Sequence, residues 1–271
     1  MSLPVALQLF SVRDDLKANF EETIKKVAEM GYQGVEFAGI PEGISFENAR
    51  KIIDKYGLVA ISAHVGYSAM LENPEKVFAD YKSLGCEYVA IPWLAKDEAL
   101  SPDAIEETFK KIEFLGKKAK EAGLQLLYHN HNFEFEKIGG EYILDKMYNT
   151  VSAEYLKTQL DTCWVNVGGE DPAEYVRKYT GRAPVVHLKD FVGGGKEGLF
   201  ELIGDNKTKT DEKAKFDFRP VGYGVQNIPE ILKASVDAGA KWVVVEQDKS
   251  TQMPPMEAVK MSREYLKSLG W

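Results

Sequence analysis

The fold class this sequence predicts is α/β, a single-domain (β/α)8 TIM barrel spanning residues 1–271, and three observations carry it. An amphipathic helix, a glycine and a short apolar strand recur, as AEMGYQGVEF, DKYGLVAISAH, KSLGCEYVAIP, KEAGLQLLYHN and VDAGAKWVVVE. Each strand is nearly continuously apolar, as parallel strands covered on both faces are. Eight strands at a period of about 34 residues fill the chain.

In order, the first strand is the apolar run Val5–Phe10. The helix Phe20–Met30 leads through Gly31 into Gly34–Phe37, and Phe46–Lys55 leads through Gly57 into Val59–His64. Pro74–Leu84 leads through Gly85 into Tyr88–Pro92, and Asp103–Glu121 through Gly123 into Leu124–His129. Gly140–Thr150 is a weaker helix before the strand Thr158–Asp161, and Pro172–Tyr179 precedes Pro184–Leu188. Ile228–Ala238 leads through Gly239 into Trp242–Glu246, and Met256–Leu269 closes the chain. The glycines stand where a left-handed residue ends a helix cheaply. A doubly wound open sheet is the competing arrangement, but no GxGxxG follows the first strand. The period breaks once, after the seventh strand. Residues 191–227 hold GGG and the charged stretch DNKTKTDEKAKFDFRP, a long loop that reads as a lid or as a plain surface insertion.

Composition narrows the function. With 42 acidic and 34 basic residues the net charge is −8, and the basic residues are interleaved with acidic ones, so no stripe for nucleic acid exists. No 18-residue apolar run is present, which excludes a helical membrane span. Leu3–Phe10 is short and lacks a basic flank, so no leader is read and the cytoplasm is the expected compartment. Cys86 and Cys163 form no CxxC and read as buried free thiols. The C-terminal Leu269-Gly270-Trp271 and loop aromatics are a candidate homodimer contact.

Barrel chemistry sits at the C-terminal ends of the strands. Those ends carry Gln8, Glu36, His64, Trp93, His129, Asn130, His131, Asp161, His187 and Glu246, and the chain's four histidines are all among them. A lone histidine at a strand end is usually a packing residue; four of four, joined by two carboxylates, indicate a clustered polar site. Imidazole with carboxylate suits Mn2+, Zn2+, Co2+ or Fe2+ better than Mg2+ or Ca2+. The expected ligands are His129, Asp161, His187 and Glu246. His131, two residues from His129, shares its face while Asn130 turns away; it is expected to hydrogen-bond near the metal rather than ligate it.

Lys189 shares the parity of His187 and reads either as an inward cation, binding substrate and stabilising a developing alkoxide, or as a loop lysine. Asp190 either orients a ligand or caps a helix. Trp93, Trp164 and Tyr67 are candidate walls for a sugar ring, or packing under loops. Glu36, His64 and Glu134 are candidate substrate contacts. Gly222-Tyr223-Gly224 offers N–H groups to a phosphate, a reading left open.

The pieces LQLFSVRD, GVEFAG, ISAH, LLYHNHNFEF, QLDTCWVNVGGEDP, VVHLKD, PVGYGVQNIPEIL and VVVEQD run from the first strand to the last. Together they resemble the xylose-isomerase-like superfamily of sugar isomerases and epimerases, in the sugar-phosphate isomerase branch that includes relatives of inosose dehydratase. The resemblance implies one divalent cation, often Mn2+, held by a glutamate, an aspartate, a histidine and a second glutamate. Asp161, His187 and Glu246 match the last three positions. The first reads His129 where many members carry glutamate. The resemblance implies proton transfer α to a carbonyl through an enediolate that the cation stabilises, with Glu246, His131 and Lys189 as candidate catalytic groups. An isomerase or epimerase acting on a sugar is therefore the first expectation. A keto-polyol dehydratase is the second, because the symmetric pair of glutamates is incomplete, and a non-catalytic sugar- or metal-binding barrel is the third. The three-zinc endonuclease IV relatives are excluded by the acidic charge and the few histidines.

Overall fold

The computed structural model describes residues 2–95, 99–193 and 216–271. Twelve strands are described: β1 (Val5–Gln8), β2 (Gly34–Phe37), β3 (Val59–Ala63), β4 (Tyr88–Ile91), β5 (Gln125–His129), β6 (Lys137–Ile138), β7 (Glu141–Tyr142), β8 (Leu156–Asp161), β9 (Val185–Leu188), β10 (Asp190–Val192), β11 (Asp217–Arg219) and β12 (Trp242–Val245). Eight of them form one parallel sheet in the order β3-β2-β1-β12-β9-β8-β5-β4. The ends meet where His64 bridges to Ala90 and the N–H of Val65 donates to the carbonyl of Ala90 at 3.0 Å. That curls the sheet into the expected barrel, with helices packed around it.

Helices follow each glycine-ended unit as expected. The five helix-ending glycines have φ between +69° and +97°, a region that favours glycine over any residue with a Cβ. Among the described residues, three short α-helices lie outside the regular pattern, Arg13–Ala18, Tyr67–Glu72 and Thr162–Val167. The Asp190–Val192 and Asp217–Arg219 strands pair antiparallel within the long loop. The lid reading of 191–227 falls on 194–215, which lie outside the described residues.

Two cores result from strand alternation. Residues of one parity face the helices in a large apolar layer, from Val5 and Leu7 to Val243 and Val245. Those of the other parity fill the barrel axis: Ala6, Ile61, Tyr88, Ala90, Leu127, Val185 and Val244, with Trp242 against them. Gly34 makes room for this filling, since a Cβ there would lie 2.9 Å from Ile61 and 3.0 Å from Trp242. The axis is therefore packed at its N-terminal end, and the next inward layer, at the strand C-termini, is polar. Cys86 and Cys163 are buried free thiols. Trp271 folds back, its carbonyl accepting from Arg263 at 2.9 Å. No described helix is long and apolar enough to cross a membrane.

Candidate metal centre

Parallel register brings the polar layer together. Gln8 stands beside Glu36, His129 beside Gln159, and Asp161 beside His187. His187 lies opposite Val244, which places Glu246 one inward step higher. One ligand atom each from His129, Asp161, His187 and Glu246 lies within 4.8 Å of the others, and all four residues are buried. These are the four expected ligands. His64, His129 and His187 form a second such group sharing two of them.

Asp161 has two jobs. Its Oδ1 accepts from the N–H groups of Cys163 at 2.9 Å and Trp164 at 3.1 Å, capping the helix Thr162–Val167. This helix takes a sequence whose apolar, β-branched residues suit a strand, and the cap satisfies its first N–H groups. The other oxygen, Oδ2, points into the cluster, 3.6 Å from His129 Nε2 and 2.9 Å from Lys189 Nζ, without a directed hydrogen bond.

His187 lies between carboxylates. Its Nδ1 is 2.8 Å from Glu246 Oε2, and its Nε2 is 2.8 Å from Glu36 Oε1 but off the direction of a hydrogen bond. Burial pushes the imidazole down, but the charge of Glu36 and the bond to Glu246 outweigh it and lift it to about 10. Burial pushes Glu246 up, and Lys189 and His187 reverse this, holding it well below the usual carboxylate range. Lys189 is 1% exposed and reaches Asp161 at 2.9 Å, Glu246 at 3.1 Å and Asp248 at 3.2 Å. It is the inward cation of the two readings open for it, and it stays protonated because these carboxylates overcome its burial.

The donor set fits a divalent cation that would displace the proton the carboxylates hold on His187. Asp161 Oδ2 and His187 Nε2 are buried atoms without directed hydrogen bonds, and two neutral imidazoles with two carboxylates suit a transition ion.

Two expected substrate contacts are corrected. Glu36 is fully buried and its carboxylate is engaged by protein donors: Gln8 Nε2 at 2.6 Å on one oxygen and Gln159 Nε2 on the other. It supports His187 and His64 from below. Glu134 is also fully buried, accepting from the Tyr128 hydroxyl at 2.6 Å and the His131 N–H at 2.8 Å. Its turn at Phe133–Phe135 directs it back under β5. His64 borders the cluster, its Nε2 2.6 Å from Gln159 Oε1 and its ring stacked on His187 with centroids 5.5 Å apart. Trp93 is 47% exposed just past β4, at the mouth of the barrel.

His131 sits beside His129, with ring centroids 5.4 Å apart, and packs against Phe133 and Trp164 at 5.6 Å each. Burial and then the charge of Lys189 push it down to about 3, so it is a neutral imidazole near pH 7. Trp164 is buried under Phe216 and Phe218, with Lys189 Nζ 5.6 Å from its ring.

Asp190 neither orients a ligand nor caps a helix. Its carboxylate accepts from the N–H groups of Gly222 at 3.0 Å, Gly224 at 2.9 Å and Gln226 at 3.1 Å, pinning that loop. The N–H groups read as an optional phosphate cradle are thus taken by an aspartate. Residue type gave no notice of Gln159 and Asn130; the signal for Gln159 was its position two before Asp161, on the same face.

A barrel whose one polar layer gathers two imidazoles and two carboxylates at the strand C-termini belongs to the class of TIM-barrel proteins with a candidate divalent-metal centre. The description "Xylose isomerase-like TIM barrel" matches residues 24–269, and the chain belongs to that family. It is 26% identical over 280 residues to an inosose dehydratase of Mesomycoplasma hyopneumoniae strain 7448, covering 93% of this chain and 89% of that protein. A solved sugar phosphate isomerase/epimerase from Parabacteroides distasonis superposes with a TM-score of 0.79 at 23% identity, covering 98% of both chains. An IolI protein solved with a zinc atom gives 0.75 at 14% identity, covering 99% of this chain and 98% of that one.

Proposed function

We propose that the chain is a divalent-cation-dependent lyase that removes a proton α to the carbonyl of a keto-polyol and expels water. The observation that carries this reading is the asymmetry of the site. Epimerisation by two carboxylates needs one on each face of the substrate. Here the strand-five position holds His129, and Glu134 is bound beneath it by Tyr128 and the His131 N–H. Glu246 is the carboxylate we assign to take the proton. On the same side as Asp161, the Lys189 ammonium offers N–H donors and positive charge to a departing hydroxyl. A bound cation would supply Lewis acidity to the carbonyl oxygen; Mn2+ is the first choice, and the IolI neighbour was solved with a zinc atom. The inosose dehydratase relatives support the same reading.

An isomerase or epimerase acting on a sugar is the second reading, supported by the Parabacteroides structure. It shares the first proton transfer and returns the proton to carbon. Incubation with Mn2+ and keto-polyols, inososes included, in D2O distinguishes them. A dehydrated product is expected. Deuterium at the α carbon without water loss selects the second reading, and no exchange in any candidate overturns both.

A further inference from the structure

Lys189 occupies an unusual place for a lysine. Its ammonium is 2.9 Å from Asp161 Oδ2 and 3.1 Å from Glu246 Oε2, and those two residues also belong to the four-residue donor cluster. The ammonium and a divalent cation held by the cluster would therefore compete for the same carboxylates. Two positive centres a few ångströms apart repel strongly where water is excluded. An ammonium that is 1% exposed cannot give up its partners without another to receive it.

That other partner is present. Asp248 lies two residues past Glu246 and outside the cluster, with both carboxylate oxygens 3.2 Å from Lys189 Nζ. Its side chain is 24% exposed and lines a surface cavity with Ser11, Asp14 and Lys249. Lys189 thus has one carboxylate on its rim side and two on its cluster side, all within reach of small rotations of a flexible stem.

We propose that Asp248 is a positioning residue for cation exchange: when the cluster holds a divalent cation, Lys189 leaves Asp161 and Glu246 and pairs with Asp248. The proposal rests on the metal reading above and adds the residue that makes metal binding compatible with a buried lysine. Lys189 is then a built-in counter-cation that keeps the carboxylates paired, and Asp248 holds it at the rim, where its N–H groups face incoming substrate.

The test is Mn2+ affinity, read by titration calorimetry and by the electron paramagnetic resonance of free Mn2+, on wild type, D248N, K189M and the double variant. D248N is expected to weaken Mn2+ binding about tenfold in the presence of Lys189 and to change it less than about twofold when Lys189 is methionine. K189M is expected to bind Mn2+ more tightly than wild type. If K189M does not fold, the charge-balanced double variant decides alone: affinity at or above wild type supports the exchange. Affinity below wild type overturns it, because Asp248 would then act only as a negative charge drawing the cation in. Equal effects of D248N in both backgrounds overturn it too. Wild type that binds no Mn2+ removes the metal reading itself, and the exchange with it.

Discussion

Asn130 and Asp161 exchange two hydrogen bonds: the Asn130 side-chain oxygen accepts from the Asp161 N–H at 2.9 Å, and its amide nitrogen donates to the Asp161 carbonyl at 3.3 Å. Asn130 turns away from the axis, as strand alternation requires, and in doing so fastens the end of β5 to the end of β8. It fixes the backbone of a candidate ligand without touching the cluster. N130A leaves two buried backbone groups unpaired and is expected to cost about 2–3 kcal/mol. Urea unfolding measures that cost, and Mn2+ affinity should fall with it; unchanged affinity would show that Asp161 is held from its own helix alone.

Glu246 is assigned as both a candidate ligand and the group that accepts the substrate proton. E246Q keeps the shape and removes the charge, so turnover is expected to fall by about 10²–10⁴-fold. Circular dichroism should show the fold unchanged. Full activity in this variant would take the residue out of the chemistry.

Glu134 is pushed up to about 7 by burial, which the bonds from Tyr128 and the backbone only partly oppose. A carboxyl whose folded value lies above its ordinary 4.5 binds its proton more tightly in the native state. The associated loss of stability is absent below about pH 4.5, grows as pH rises toward 7, and is complete above it, reaching about 3 kcal/mol. E134Q should remove this slope, since an amide can donate to Tyr128 and accept from the His131 N–H. Urea midpoints of both proteins between pH 5 and 8 measure the difference; parallel curves would refute it.

Gly224 lies against Asp190. A Cβ there would sit 2.1 Å from Asp190 Oδ1 and 2.3 Å from the Phe191 carbonyl oxygen. G224A must displace the carboxylate or the loop it holds, at a cost of about 1–3 kcal/mol. D190N is expected to weaken the same three N–H contacts. Thermal melts of the two variants and their combination should show effects that do not add, because both break one contact set; additive losses would separate them.

Much of the fold was legible because its two periods are physical ones. A helix that ends in a left-handed glycine and an apolar strand of fixed parity leave little choice of arrangement, and parity alone aligned Asp161, His187 and Glu246. The helix Thr162–Val167 was hidden because TCWVNV carries strand-forming residues, and only the Asp161 cap at its start reverses that preference. Glu36 and Glu134 misled for a different reason. A glutamate at a strand end looks the same whether it meets water or a pair of protein donors, and depth within the barrel is set by strand stagger rather than by residue type. The amides of Gln8, Gln159 and Asn130 announce nothing alone; they acquire roles from the carboxylates beside them.

Glu36 has a mechanical consequence as well. From β2 it is joined to Gln8 on β1, Gln159 on β8 and His187 on β9, with His64 beyond β3 lying 3.1 Å away. The barrel's weakest seam is between β3 and β4, where His64 and Ala90 make an isolated bridge. Contacts from Glu36 run across the axis like spokes, tying β2 to β1, β8 and β9 and reaching His64 on the β3 side of that seam. The barrel mouth is thus held round from its centre, and its shape and its charge depend on the same carboxylate.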